Sequence, residues 1–314
     1  MSSNPTSLAS RSILRGIFSA QWLPIDSAGR LDRACLAAHL AFEKRKGITG
    51  VLALGSTGEF PFFSPAERQE ALAVVAELAA PLPVFANITD IRPKVAIELG
   101  RTAKALGYRA VALMPPIFYP VSQADMLAYF LRVAEAVDLP VILYNFPELT
   151  GKKIQLETVA AFAERAPMAG IKQSGGEFAY HQPLIALAKE RGFAVYSGAD
   201  TRLPEVFGLG ADGCIGGLVN MAPELMVHLF RVCREGQPGN PSPAFEQLKH
   251  IGATVDRLTF PLNVAAGIEA RGFATGEPKA VVSAESAAIY RGIVRDLRAS
   301  FQEWNLELAP GRAA

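Results

Sequence analysis

Eight times along this chain, a short apolar run is followed by a longer stretch with a 3.6-residue apolar period. The apolar runs fall at 13–18, 51–54, 83–87, 110–114, 141–144, 168–172, 194–196 and 213–216. Runs this short and this apolar read as strands buried on both faces, as parallel strands are. The amphipathic stretches between them read as helices, at 31–46, 94–106, 123–137, 156–165, 178–191, 203–209 and 223–234, with one more opened by Ser64-Pro65-Ala66-Glu67. That last start combines a capping serine, a proline at the first helical position and a glutamate three residues after the cap. Eight β–α units in a row predict an α/β fold with the parallel sheet closed as a (β/α)8 TIM barrel. An open doubly wound sheet is the alternative, but no G-x-G-x-x-G follows the first strand.

The barrel is expected over 13–235, after a flexible N-terminus at 1–12. A loop rich in glycine and proline, 236–243, then leads into helices at 245–258, 261–271 and 283–304. These are read as a helical extension over 236–307 packed on the barrel, with a fraying tail at 308–314. The first dozen residues lack the apolar core of a signal peptide, and no apolar stretch reaches the roughly 18 residues of a membrane span. A formal charge of +1 speaks against a nucleic-acid partner, and no run of like charges suggests a membrane surface. Three distant cysteines make no disulfide framework, and four histidines without metal-binding spacing predict no metal site. These features point to a cytoplasmic protein with reduced thiols.

In a barrel of this kind, reacting residues sit at the carboxyl ends of the strands. The sixth strand ends in Lys172, and Gly175-Gly176 then turns the chain away. An ammonium emerging from an apolar wall is poorly hydrated, which favours the neutral amine, and a neutral amine can form a Schiff base with a ketone. The fifth strand ends in Tyr144-Asn145-Phe146-Pro147, so a phenol able to move protons is expected beside Lys172. After the second strand comes Gly55-Ser56-Thr57-Gly58-Glu59. Its two glycines are expected to allow a tight turn, in which the Ser56 and Thr57 N–H groups and hydroxyls converge on a carboxylate. The glycines of the eighth strand, Gly213, Gly216 and Gly217, are read as allowing close approach of backbone to a small ligand.

Taken together, GSTGE (55–59), YNFP (144–147) and GIK (170–172) resemble the dihydrodipicolinate synthase / N-acetylneuraminate lyase family of class I aldolases. The stretch 211–217 and Asn220 fit that pattern too, and the resemblance covers about residues 13 to 300. It implies Lys172 as the Schiff-base lysine, Tyr144 as the proton-transfer residue, and Ser56 in a proton relay. It further implies that Ser56 and Thr57 bind the substrate carboxylate and that Ile215 contacts the pyruvyl group. No separate cofactor is implied, the partners being a 2-oxo acid and an aldehyde, and the assembly a homo-oligomer, a tetramer or a dimer.

Two positions depart from the dihydrodipicolinate synthases. Where those enzymes place an arginine that grips the second substrate's carboxylate, this chain has Leu149, and an alkyl group cannot replace a bidentate clamp. Where the family often lends a relay tyrosine to a neighbouring subunit, this chain has Phe118, with Tyr119 beside it. Ser174, Asp200 and Thr201 are the expected contacts to the variable end of the substrate. The expected activity is thus a lyase making or breaking a C–C bond next to a pyruvyl group in a 2-oxo-3-deoxy or 4-hydroxy-2-oxo acid. A dehydratase using the same iminium, then 4-hydroxy-tetrahydrodipicolinate synthase, then a non-catalytic 2-oxo acid binder are the alternatives.

Overall fold

The computed structural model describes residues 15–309. Eight parallel strands close into a barrel in sequence order, β1 pairing with both β2 and β8. They are β1 Gly16–Ala20, β2 Gly50–Ala53, β3 Val84–Asn87, β4 Ala110–Leu113, β5 Val141–Asn145, β6 Met168–Gln173, β7 Ala194–Ser197 and β8 Gly213–Gly216. The helices around them are α1 Arg33–Arg45, α2 Pro65–Ala79, α3 Pro93–Ala105, α4 Gln123–Val137, the short α5 Pro147–Thr150, α6 Leu156–Arg165, α7 His181–Arg191, α8 Leu203–Leu209 and α9 Pro223–Cys233. Three more follow: α10 Ser242–Val255, α11 Leu262–Ala270 and α12 Ala284–Glu303. None is long and apolar enough to cross a membrane among the described residues.

The expected start of α2 is present in full. Ser64 Oγ accepts from the Glu67 N–H, and the Glu67 carboxylate accepts from the Ser64 N–H at 2.7 Å. The first strand lies later than expected, and residues 13 and 14 of that expectation fall outside the described residues. Along it, Phe18 and Ala20 point into the barrel, while Ser19 faces α1 and donates to Glu43 at 2.6 Å. The expected flexible N-terminus lies outside the described residues. Of the expected fraying tail, Leu308 and Ala309 are packed, the Ala309 N–H donating to the Arg271 carbonyl at 2.8 Å, and 310–314 lie outside the described residues.

The barrel floor is an aromatic plug. Phe18 stacks on Phe85 with centroids 4.8 Å apart, and Tyr196 meets Phe18 edge-on at 5.6 Å. Above it, one irregularity decides what faces inward. Val141 of β5 pairs with Met168, yet Ile142 pairs with Gly170, so Ala169 is an extra residue in β6. Side chains alternate faces along a strand, and one inserted residue reverses every side chain beyond it. The bulge therefore places Lys172 opposite Tyr144 and inside the barrel. Gly170 is needed beneath it, because a Cβ there would lie 2.7 Å from the Ala194 carbonyl and 3.1 Å from the Tyr196 ring.

The C-terminal helices are clamped to the barrel's helical layer by a buried arginine. The Arg271 guanidinium is fully buried between the rings of Phe42 and Phe301, 4.9 and 5.0 Å from their centroids, and pairs with Glu224 at 2.7 Å. This joins α1, α9, α11 and α12 through one side chain.

A second buried charge sits under α1. Burial pushes the Glu43 carboxyl up to about 8, against the lowering effect of its bonds to Ser19 and Gln21. Glu43 Oε2 and Gln21 Oε1 are both buried without a donor, and a proton on Glu43 supplies one. Because the folded value lies above the usual 4.5, stability from this group is full below about 4.5 and is lost as pH rises to about 8. Glu43→Gln carries its own donor and removes the dependence. Thermal unfolding should show the variant gaining on the wild type between pH 5 and pH 9, and a gap that does not move with pH would mean that Glu43 does not titrate in this window.

Candidate active site

Lys172 and Tyr144 are adjacent on β6 and β5, both buried at the mouth of the barrel. Lys172 Nζ donates to Tyr144 Oη at 3.1 Å and lies 4.3 Å from the centroid of the same ring. Tyr144 Oη in turn lies 2.7 Å from Ser56 Oγ. An amine, a phenol and a hydroxyl thus form one continuous hydrogen-bonded line. Gly198, just after β7, makes room for Ser174, since a Cβ there would lie 3.1 Å from the Ser174 Cβ and collide with its hydroxyl. The neighbouring Gly175 does use the left-handed conformation expected of a turn, with φ +94°, and the Gly176 N–H donates to Glu148 on α5 at 2.6 Å.

The loop after β2 differs from its expected build. Neither Gly55 nor Gly58 is left-handed; the positive φ values, both 57°, belong to Leu54 and Glu59. Gly58 is required for proximity instead, a Cβ there falling 2.8 Å from the Gln21 carbonyl. Non-glycine residues in this region cost of order 1–3 kcal/mol each and need support from their surroundings. Leu54 is held through its carbonyl by Asn87 Nδ2 at 2.7 Å, and Glu59 is held by Lys279 at 2.8 Å. The Lys279–Glu59 pair is buried, with Lys279 Nζ 4.4 Å from the Trp22 ring, and burial pulls the ammonium down against the opposing pull of Glu59. Neither the Ser56 nor the Thr57 N–H has a protein acceptor among the described residues. Both stay free for an anion.

These groups open into one cavity of about 550 Å³. Ser56, Thr57, Tyr144 and Lys172 line it together with Ile215, and Ser174, Asp200 and Thr201 line it as well. Asp200 is less free than expected. One of its oxygens accepts from the Leu218 N–H at 2.8 Å, and the other from Cys214 Sγ at 3.3 Å. Burial pushes its carboxyl up, opposed by these donors and by the charge of Lys172. The glycines of β8 make room for protein before ligand: a Cβ on Gly213 would strike the Gly16 carbonyl, and one on Gly216 would strike Asp200. Asn220 braces the barrel seam, donating to the Ala20 carbonyl at 2.8 Å and accepting from the Trp22 N–H at 3.0 Å.

Phe118 and Tyr119 stand outside this cavity, 82% and 66% exposed, with their rings edge to face. Phe118 has φ +81°, so its backbone directs the pair outward. Within one chain neither continues the Ser56–Tyr144 line. Leu149 lines a separate apolar recess of about 210 Å³ with Phe60, Met114 and Ile117, and no cation lines that recess among the described residues. The sequence reading missed Asn263, Phe260 and Val264, which line the main cavity from the C-terminal helices. No motif marks them, and only the fold brings α11 to the barrel mouth. No cluster of metal-ligating side chains occurs among the described residues.

The sequence signature of the dihydrodipicolinate synthetase family matches residues 13–294. The chain belongs to that family. It is 28% identical over 285 residues to 4-hydroxy-tetrahydrodipicolinate synthase of Methanothrix thermoacetophila, covering 90% of this chain and 96% of the relative. It is 30% identical over 264 residues to an uncharacterized DapA-like lyase of Halobacterium salinarum, covering 84% and 86%. Among solved structures it superposes on the family's prophage protein YagE of E. coli K12, crystallised with pyruvate, with a TM-score of 0.84 and 28% identity over 93% of this chain and 99% of that one. Dihydrodipicolinate synthetase family members are Schiff-base-forming aldolases and lyases, and this chain is a carbon–carbon lyase of that kind.

In this member of the dihydrodipicolinate synthetase family, the strained loop is anchored from a position more than two hundred residues away. Lys279→Met leaves Glu59 buried and unpaired, which should destabilise the protein by about 3–5 kcal/mol in denaturant unfolding. KM for pyruvate should rise more than kcat falls. Loss of stability with an unchanged KM would detach the ion pair from the site.

Proposed function

We propose that this protein cleaves or forms the C–C bond next to the pyruvyl group of a 2-oxo-3-deoxy or 4-hydroxy-2-oxo acid, through a Schiff base on Lys172. The observation that carries the reading is the unbroken line from Lys172 Nζ through Tyr144 Oη to Ser56 Oγ, set in the wall of a cavity large enough for more than pyruvate.

The geometry supports the following roles. The Lys172 amine attacks the 2-oxo carbon, and Tyr144, in contact with it, moves the protons that turn the carbinolamine into an iminium and water. Cleavage removes the proton of the C4 hydroxyl, and the C3–C4 electron pair flows into the iminium. An aldehyde leaves and an enamine stays. Protonation at C3 and hydrolysis then release pyruvate and the free lysine. Ser56 passes protons to and from Tyr144, and the unoccupied N–H groups of Ser56 and Thr57 receive the substrate carboxylate. Ile215 packs against the pyruvyl group, and Ser174 and Thr201 face the aldehyde-derived part.

The recess around Leu149 weighs against a second substrate held by its carboxylate, since no cation lines it among the described residues and the Glu59 carboxylate does. The exposed Phe118–Tyr119 pair supports assembly into a homo-oligomer, a dimer or tetramer, and a cytoplasmic location fits an enzyme acting on such metabolites.

Borohydride reduction in the presence of pyruvate should fix a pyruvyl adduct that peptide mapping assigns to Lys172. Lys172→Ala should abolish both adduct and turnover while leaving the fold intact. An adduct on another lysine, or turnover by the variant, would end the proposal. Tyr144→Phe should slow kcat by about 10²-fold or more, the scale of a positioned proton-transfer group. An unchanged rate would reduce Tyr144 to packing.

A further inference from the structure

Asn263 is a buried amide whose side chain finds no hydrogen-bond partner among the described residues. It is the second residue of α11, is only 7% exposed, and lines the same cavity as Lys172. Its Oδ1 is fully buried without a donor, and its side chain makes no hydrogen bond among the described residues. Buried side-chain amides are almost always paired, and leaving one unpaired costs about 1–3 kcal/mol. The neighbours do not supply a partner: Phe260 and Val264, which line the cavity beside it, are apolar. Asp200, also in the cavity, has both oxygens bonded already. Its Nδ2 is not sealed as Oδ1 is and donates to no described residue, so the open end of the amide awaits an acceptor that enters the cavity, with Oδ1 reachable once the amide turns over.

We propose that Asn263 is a specificity-determining residue that reads a hydroxyl on the aldehyde-derived carbon chain of the substrate. This rests on the lyase reading above. An amide offers a donor and an acceptor together, which matches a hydroxyl, itself both acceptor and donor. Being neutral, it gives a carboxylate or phosphate tail no ion pair. The pyruvyl end is already served by Lys172, Tyr144, Ser56 and Thr57, so a polar residue supplied from the C-terminal helices serves the other component. A site built to bond a hydroxyl discriminates strongly against the analogue lacking it, because the buried group is then left unpaired.

The test compares aldehydes of equal length with and without hydroxyls, glyceraldehyde against propanal and erythrose against butanal, each condensed with pyruvate. The wild type should favour the hydroxylated member of at least one pair by about tenfold or more in kcat/KM. Asn263→Leu, of similar size, should collapse that ratio chiefly through a higher KM for the hydroxyaldehyde. Asn263→Ser, which keeps a hydroxyl, should restore part of it. Borohydride trapping of pyruvate on each variant reports separately whether the Lys172 chemistry is intact. Intact trapping with an unchanged ratio in Asn263→Leu overturns this inference alone. Failure of the wild type to trap pyruvate overturns the Schiff-base reading and this inference with it.

Discussion

One inserted residue in one strand carries the site. Without Ala169 as the extra member of β6, the alternation of the strand would turn Lys172 outward among the helices and bring Ile171 beside Tyr144. With it, the amine lies against the phenol, over a floor of packed aromatic rings that excludes water from below. The bulge is itself dependent on small residues. Gly170 has no room for a side chain between Tyr196 and the Ala194 carbonyl, and a Cβ at Gly198 would collide with Ser174 beside the lysine. Packing and chemistry cannot be separated at this point in the fold.

The loop after β2 shows the complementary device, strain held by distant contacts. Leu54 and Glu59 both adopt a conformation that L residues avoid, and between them the chain presents two free N–H groups. Asn87 holds one end from β3, and Lys279 holds the other from the segment between α11 and α12. The C-terminal helices therefore do more than cover the barrel. They anchor the loop, contribute Asn263 to the cavity, and are themselves fastened by Arg271.

Much of this was legible in the sequence, for identifiable reasons. The eight-fold alternation is a long-range pattern written in local residues, so the barrel could be read without knowing any contact. Lys172, Tyr144 and Ser56 fall at strand ends, where the barrel rule looks for them. What escaped were features that only three-dimensional proximity defines. The glycines of GSTGE suggested a flexible turn, yet the torsional strain sits on Leu54 and Glu59, and Gly58 serves the close approach of Gln21. The bulge leaves no trace in a run as apolar as Met168 to Ile171. Lys279, between two helices, and Asn263, within one, carry no motif, and each acquires meaning from a neighbour more than ninety residues away.

The charge arrangement bears on why the proposed chemistry suits this cavity. The carboxylate of a 2-oxo acid would meet neutral donors at Ser56 and Thr57, not an arginine. In a buried site an arginine beside the reacting carbon would repel the iminium, whose cationic charge must develop there. Arg202, which does line the cavity, is turned to Glu205 and stacked on the Phe178 ring. The substrate carboxylate would join Asp200 and Asp256, which also line the cavity, as the anions near the iminium, and Asp200 is held in place by the Leu218 N–H. With Arg202 engaged by Glu205 and Phe178, the substrate carboxylate would itself help to favour the charged intermediate over the ketone that enters.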